Sequence, residues 1–261
     1  MITTQPFSVQ TQERVSFAAD LVRRARGTVV LSGAGISTPS GIPDFRSAGT
    51  GLWARDEPME VASLSTFRTA PERFFAWFRP LAARIYHAQP NAAHSAIAEL
   101  EQSGRVRAVI TQNIDALHHK AGSKHVVEMH GTLRTITCVE CYTKGGSSEY
   151  LEAFVEHGII PRCPRCHGIM KPDVILFGEQ LPQGAWREAV AEARTCDVML
   201  VVGSSLEVLP VAGLPLQALE RGAHLIIVNN TSTYVSVRAD VALLEDVALV
   251  LPSIAQQALH G

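Results

Sequence analysis

An α/β architecture, a parallel sheet covered on both faces by helices with a smaller second domain set into it, is what this 261-residue sequence predicts. Three observations predict it. Apolar runs of strand length alternate with helical patterns, as they do where crossover helices bury both faces of a parallel sheet. The first such run ends in a glycine turn. Two Cys-x-x-Cys pairs lie inside a stretch that interrupts the alternation. A hydrophobic content of 46% over this length supplies one large core and a small satellite module.

From Thr11 to Ala25 the apolar positions Val15, Ala18, Ala19, Val22 and Ala25 recur at helical spacing, with Gly27 following as a helix stop. Thr28-Val-Val-Leu31 reads as a buried strand running into Ser32-Gly-Ala-Gly-Ile-Ser37. Similar strands are expected at 106–111, 197–202 and 224–229, and helices at 91–102, 182–194 and 211–221. Two stretches break this rhythm: 39–79, rich in Pro, Gly and aromatics, and 132–171, which holds the cysteine pairs. The expected division is therefore 1–38, 80–131 and 172–261 in the large domain, with 39–79 and 132–171 in the small one.

A formal net charge of −2 argues against a dedicated nucleic-acid binder, which would carry a basic excess. The strongest apolar run, Val198–Val202, is strand-sized and far short of a membrane span. The first residues, Met1-Ile-Thr-Thr-Gln-Pro-Phe-Ser, have neither the basic start nor the apolar core of an export signal, so a soluble, cytoplasmic protein is expected. Four of the five cysteines, Cys138, Cys141, Cys163 and Cys166, form two knuckles whose thiolates can close a tetrahedral shell around zinc. With no base nearby and no open ligand position, that zinc is expected to be structural. Two disulfides would need an oxidising compartment; a rubredoxin-like iron site would use the same spacing. His167, next to Cys166, is a substitute ligand in principle but is expected to face solvent. Cys196, at the mouth of the apolar run, reads as a core residue.

The chemistry-bearing motifs gather at strand ends. Gly33-Ala34-Gly35 after a strand lets backbone approach a pyrophosphate closely. The third glycine of the usual dinucleotide fingerprint is missing, because Thr38 stands there, and no acidic residue clearly ends a second strand about 20 positions on. That departure suggests a site holding NAD otherwise than a hydride-transfer enzyme does. Gly41-Ile-Pro-Asp44-Phe45-Arg46 adds a carboxylate, an aromatic face and a guanidinium, although Asp44 and Arg46 would also make a plain surface pair. Thr111-Gln112-Asn113-Ile114-Asp115 ends the second strand, where its amide and carboxylate groups suit a carboxamide and a ribose; a plain Asn/Asp turn would look the same locally. His130, ahead of Gly131, is the side chain best suited to move a proton near neutral pH. His118 and His119 are adjacent without an obvious acid partner, and His125 sits in a polar turn. Gly203-Ser204-Ser205 repeats the strand-then-small-residue design, and Asn229 ends the next strand.

In this order the motifs closely resemble the sirtuins, the NAD-dependent protein lysine deacylases. Gly-Ala-Gly-Ile-Ser-Thr38, Gly-Ile-Pro-Asp-Phe-Arg46, Thr-Gln-Asn-Ile-Asp115, His-Gly131, both knuckles, Phe-Gly-Glu179, Gly-Ser-Ser205 and Asn229 carry the resemblance, which spans roughly residues 12 to 255. It implies a Rossmann-like domain plus a small zinc and helical domain, with NAD and an acyl-lysine peptide entering the cleft between them. It implies further that NAD is consumed, releasing nicotinamide and O-acyl-ADP-ribose. By resemblance Ala34, Thr38, Phe45, Arg46, Gln112, Ser204, Ser205, Asn229, Asn230 and Val247 line the dinucleotide. Asn113, Ile114 and Asp115 would take the nicotinamide carboxamide and adjacent ribose, with Asn113 and His130 catalytic and His130 the general base. Val174, Ile175, Phe177 and Gly178, with Glu207 and Val208, would hold the extended peptide by strand addition.

Departures from the family pattern are Ala116, where many members have Gly, and Asn229-Asn-Thr-Ser-Thr-Tyr234, which replaces an acidic, Pro-containing run. The subgroup acting on succinyl-lysine carries a Tyr and an Arg three residues apart on the helix lining the acyl pocket; here Ala76 precedes Arg79, so a neutral acyl group is expected. The rival readings are mono-ADP-ribosyl transfer from the same NAD site and a non-enzymatic zinc-ribbon binding module.

Overall fold

The structure is a computed structural model describing residues 7–45, 51–52 and 57–261. Among these residues the strands are β1 (Thr28–Ser32), β2 (Val106–Thr111), β3 (Val126–Glu128), β4 (Gly131–Cys138), β5 (Lys144–Gly146), β6 (Met170–Val174), β7 (Val198–Val202), β8 (His224–Val228) and β9 (Val241–Leu243). The longer helices are α1 (Val9–Arg24), α4 (Pro71–His87), α5 (Ala92–Gln102), α7 (Ser148–His157), α8 (Gln183–Thr195) and α10 (Val247–His260). Short ones are α2 (Pro58–Val61), α3 (Leu64–Thr69), α6 (Leu117–Ala121) and α9 (Leu214–Leu219).

A six-stranded sheet runs β3-β2-β1-β7-β8-β9 with every pairing parallel. Each of β1, β7 and most of β2 is buried along its length, which is why these strands read as unbroken apolar runs rather than as alternation. One face packs against α1, α5 and α10 through Val15, Val22, Ile97, Leu100, Val250 and Ile254; the other packs against α8 and α9 through Ala189, Ala193, Leu214 and Ala218. The registers Ser32↔Thr111, Ser32↔Val202 and Val202↔Val228 put four strand ends at one level. The chain leaves β1 toward β2 on one side and is flanked by β7 on the other, so a crevice opens at the carboxyl end of β1.

The second unit holds the antiparallel sheet β5-β4-β6 and a helical module. Its core is aromatic: Phe67, Phe74, Phe75 and Phe154 meet edge-to-face at 5.2–5.8 Å, while Phe74 stacks on Phe78 at 5.3 Å. The β4/β6 ladder is irregular between Gly131 and Ile136. Gly131 has φ 76°, and a Cβ there would strike the Asp173 carbonyl oxygen, so only glycine lets the two strands approach.

The expected strands and the α1, α5 and α8 helices form within one or two residues of the sequence reading. The helix expected over 211–221 is shorter, a 3₁₀ turn (Val211–Gly213) leading into α9, whose start is set by Pro215 in its first turn. α4 continues through Pro80 and β6 straddles residue 172, so both elements cross positions at which the sequence divides the chain. Among the described residues no helix is long and apolar enough to cross a membrane.

Candidate active site

The residues immediately after β1, β2, β7 and β8 are Gly33, Gln112, Gly203 and Asn229, and the register brings all four to the rim of the crevice. Backbone bonds bind the rim together: Gly33 N–H donates to Val202 O (3.1 Å), Gly35 N–H to Gly203 O (2.8 Å) and Gln112 N–H to Ser32 O (2.9 Å). Gln112 Nε2 donates to Ser204 Oγ at 2.8 Å, coupling the second strand end to the Gly-Ser-Ser turn. Ala34 lies in a 3₁₀ turn directly after Gly33, and Thr38 opens a second whose hydroxyl donates to Gly35 O. Asn229 is buried and donates from its side chain to Thr231 O, whereas Ser205 and Asn230 are exposed at the rim. Asp44 and Phe45 follow on the loop beyond, partly buried; Arg46 lies outside the described residues. Val247 opens α10 with its side chain in the core, so any ligand contact from it is made by its main chain.

Deeper in the crevice Asn113, Ser37 and Asp115 form a polar chain. Asn113 Nδ2 donates to Ser37 Oγ (3.2 Å) and to Gly33 O (3.1 Å), and Ser37 Oγ donates to Asp115 Oδ2 (2.6 Å). The Leu117 N–H donates to the other Asp115 oxygen. Burial raises the Asp115 carboxyl above its ordinary value, with the Ser37 and Leu117 bonds and Lys120 opposing. Ser37 is the hub that sequence reasoning did not nominate. Its only signal was membership of the glycine turn, and its two partners are 76 and 78 residues away.

His130 ends the β3–β4 connection. Its Nδ1 lies 3.0 Å from Gln112 O, which fixes the proton on Nδ1 and leaves Nε2 as the acceptor. Burial lowers its pKa, the Gln112 carbonyl opposing in part, so the imidazole is neutral at pH 7 and able to accept a proton. The His130 carbonyl accepts the Ile175 N–H at 2.9 Å. The segment expected to dock peptide, Val174 to Gly178, is thereby bonded directly to the expected base. Of the other residues expected to hold peptide, Glu207 is exposed and Val208 half-buried.

The two adjacent histidines separate by role. His118 is buried, its Nε2 2.9 Å from Ser32 Oγ, and burial holds it well below its ordinary pKa; His94, similarly buried, is pushed down to about 4. His119 does have an acid partner, with Nε2 3.6 Å from Glu128, a contact made across α6 and β3 that the sequence could not show. Ala116 sits at φ 59°, in the left-handed region, and this is the physical reason a glycine suits the position.

The pair singled out for acyl selection is placed differently from the expectation. Ala76 lies on the exposed face of α4, and Arg79 donates to the last-turn carbonyls of α7, Val155 O (2.9 Å) and Glu156 O (2.8 Å). The interior side of α4 is presented by Phe74, Phe75, Phe78 and Leu81, all apolar.

The four knuckle sulfurs lie within 4.8 Å of one another, with neighbouring pairs at 3.3–3.6 Å, and none is bonded to another cysteine. A tetrahedron with metal–sulfur bonds of about 2.3 Å has edges of about 3.8 Å, so the set fits a zinc ion with no ligand position left over. Cys196 is buried beside Ala193, as expected of a core residue.

A neutral histidine beside a backbone-lined crevice at the carboxyl edge of a parallel sheet, braced by a Cys₄ module, defines a nucleotide-using α/β enzyme with a structural metal site. The family is shown by comparison. Residues 33–210 match the model of the Sir2 family. NAD-dependent protein deacylase 2 of Archaeoglobus fulgidus is 44% identical over 94% of this chain and 96% of its own. NAD-dependent protein deacylase of Pseudomonas putida is 40% identical over 92% of each. A Sir2 structure containing a deacetylated p53 peptide and 3′-O-acetyl ADP-ribose superposes with a TM-score of 0.85 at 38% identity, over 92% of this chain and 96% of that one. The chain belongs to the Sir2 family, the sirtuins.

Proposed function

We propose that the protein is an NAD-dependent protein lysine deacylase that releases nicotinamide and passes a neutral acyl group from lysine to ADP-ribose. The observation that carries this reading is the His130 junction: one residue holds a neutral imidazole through its side chain and the expected peptide segment through its carbonyl. Relatives named as deacylases and deacetylases support it, as does a Sir2 structure with a myristoylated histone peptide (TM-score 0.82, 40% identity, over 95% of this chain and 97% of that one).

Bound NAD supplies a ribose carbon that exchanges nicotinamide for the acyl oxygen. Gly33, Ala34, Gly35, Gly203, Ser204 and Ser205 present backbone and hydroxyl groups to the phosphates. In this reading Asn229, Asn230 and Val247 serve the adenosine end, Thr38, Asp44 and Phe45 the loop side and Gln112 the centre; the resemblance adds Arg46 to the NAD contacts. Asn113, Ile114 and Asp115 orient the nicotinamide end, the Ser37 bridge holding Asn113 and Asp115 in fixed relation. His130 Nε2 takes the proton of a ribose hydroxyl, which makes that oxygen the nucleophile toward the activated acyl carbon; water then adds to this carbon and its bond to the lysine nitrogen breaks, releasing the free amine and O-acyl-ADP-ribose. Val174, Ile175, Phe177, Gly178 and Val208 receive the extended peptide; the acyl group is neutral in this reading because Arg79, held by the end of α7, is not free to pair with an acid. A zinc ion held by Cys138, Cys141, Cys163 and Cys166 ties the end of β4 to the second knuckle and so supports the sheet that carries β6.

Incubation with NAD and an acetyl-lysine peptide tests the proposal: nicotinamide, free lysine and O-acetyl-ADP-ribose should form in equal amounts. ADP-ribosylated protein without the O-acetyl product would establish mono-ADP-ribosyl transfer instead, and absence of NAD binding would establish a binding module.

A further inference from the structure

We infer that Lys171 and Glu179 form a side-chain clip that sets the peptide-docking segment, which makes them positioning residues for the acyl-peptide and not for NAD. The inference rests on the reading of 174–178 as the peptide-docking segment.

That segment must present an extended edge without belonging to a regular ladder. β6 pairs with β4 at Pro172↔Ile136 and again at Gly131↔Val174, with the irregularity between them, and regular strand ends at Val174. Beyond it, ordinary main-chain bonds secure some groups: Ile175 N–H to His130 O (2.9 Å), Phe177 N–H to Ala62 O (3.0 Å), Leu64 N–H to Phe177 O (2.9 Å), and Glu179 N–H to Leu176 O (2.9 Å), where Gly178 turns the chain at φ 86°. The Val174 carbonyl and the Leu176 N–H are taken by side chains. Lys171 Nζ donates to Val174 O at 2.7 Å, and Leu176 N–H donates to Glu179 Oε2 at 2.7 Å. The ammonium and that same carboxylate oxygen are 3.0 Å apart, closing a loop from β6 through the docking segment and back.

Their side chains are only 14% and 20% exposed. An ion pair so far from water is weak evidence for stability, because desolvation offsets most of the Coulomb gain. What this pair secures is geometry. Each partner takes one backbone group where the regular ladder stops at Val174 and only isolated main-chain bonds follow, and charge-assisted bonds of this length are the stronger ones. A loosened clip leaves the strand ends that hold NAD intact, since those are bonded among themselves, and blurs only the edge on which the peptide must register.

The test uses the full chain with an acetyl-lysine peptide and measures peptide KM, kcat, NAD dissociation constant and melting temperature for Lys171→Met, Glu179→Ala, Glu179→Gln, the double variant Lys171→Met/Glu179→Ala and the charge-exchanged pair Lys171→Glu/Glu179→Lys. Loss of a charge-assisted bond predicts a rise in peptide KM on the order of tenfold for Lys171→Met and Glu179→Ala, with NAD affinity retained. Glu179→Gln, which keeps an acceptor for Leu176 N–H, should show a smaller rise. The double variant should be no worse than the single ones, because they break one clip. The exchanged pair should not recover, since it puts an acceptor opposite the Val174 carbonyl and a donor opposite the Leu176 N–H. Unchanged peptide KM in Glu179→Ala, NAD affinity falling in parallel, or recovery in the exchanged pair overturns the inference while leaving the deacylase reading intact. A wild-type chain that turns over no acyl-peptide overturns both.

Discussion

Gly35 and Gly203 lie back to back. A Cβ on Gly203 would fall 2.5 Å from the Gly35 carbonyl carbon and nearer still to Ile36 N, while one on Gly35 would fall 2.8 Å from Gly203 O. Gly203 also adopts φ 58°, in the left-handed region. The sequence suggests that each glycine clears space for phosphates. The structure adds that each clears space for the other, so the β1 and β7 turns form one continuous backbone floor. Gly203→Ala should therefore destabilise the fold by at least about 2 kcal/mol, combining overpacking with left-handed strain. Chemical denaturation checks this, and a loss under half a unit would show that the turns can part at little cost.

His130→Ala should lower kcat by on the order of a hundredfold or more while NAD binding persists, because the variant removes the proposed general base and leaves the glycine turns proposed for the phosphates intact. The pH profile carries a second check. Burial lowers the His130 pKa, so the base form persists below the ordinary histidine value of 6.5 and is lost only as pH falls through the lowered value. The acid limb of kcat/KM should thus have its midpoint below 6.5; a midpoint above 7 would contradict the assignment.

One zinc per chain should be found by metal analysis. Cys138 is fully buried, so Cys138→Ala removes a ligand and opens a void together, and should unfold the β4–β6 module with loss of bound metal. A folded, zinc-free and fully active variant would refute a structural metal.

Ala116→Gly should stabilise the protein by about 0.5–1 kcal/mol, because left-handed strain at φ 59° exceeds the entropy cost of glycine in the unfolded chain. Thermal or urea unfolding decides the sign, and the substitution should leave NAD affinity within about twofold.

Acetyl-lysine and longer neutral acyl-lysines should exceed succinyl-lysine by at least about tenfold in kcat/KM, roughly 1.4 kcal/mol. The reason is the capture of Arg79 by the carbonyls at the end of α7, which takes its guanidinium away from any acid on the acyl group. Arg79→Ala should leave the ratio of the two acyl groups unchanged, and matched peptides differing only in the acyl group will show whether it does.

Much of this was legible in order along the chain. Strands buried on both faces announce themselves as apolar runs, which is why β1, β2, β7 and β8 were placed closely. α10 was not marked, because Pro252 interrupts its pattern and its packing against α1 and α5 is long-range. β9 has only three residues. The partner of Arg79 was not legible, because its spacing from Ala76 is a local property, whereas its direction is set by α7, more than seventy residues on.

By itself the sequence determined what covalent order can carry: the alternation that makes a parallel sheet, the glycine turns at its strand ends, the four thiols and the single histidine before Gly131. Only the tertiary structure decided which groups face one another. Ser37 became the bridge between Asn113 and Asp115, His119 gained Glu128, and Lys171 closed on Glu179. The physical reason is that strand register and helix packing fix distances between residues far apart in the chain, and hydrogen bonds and ion pairs act only within a few ångströms.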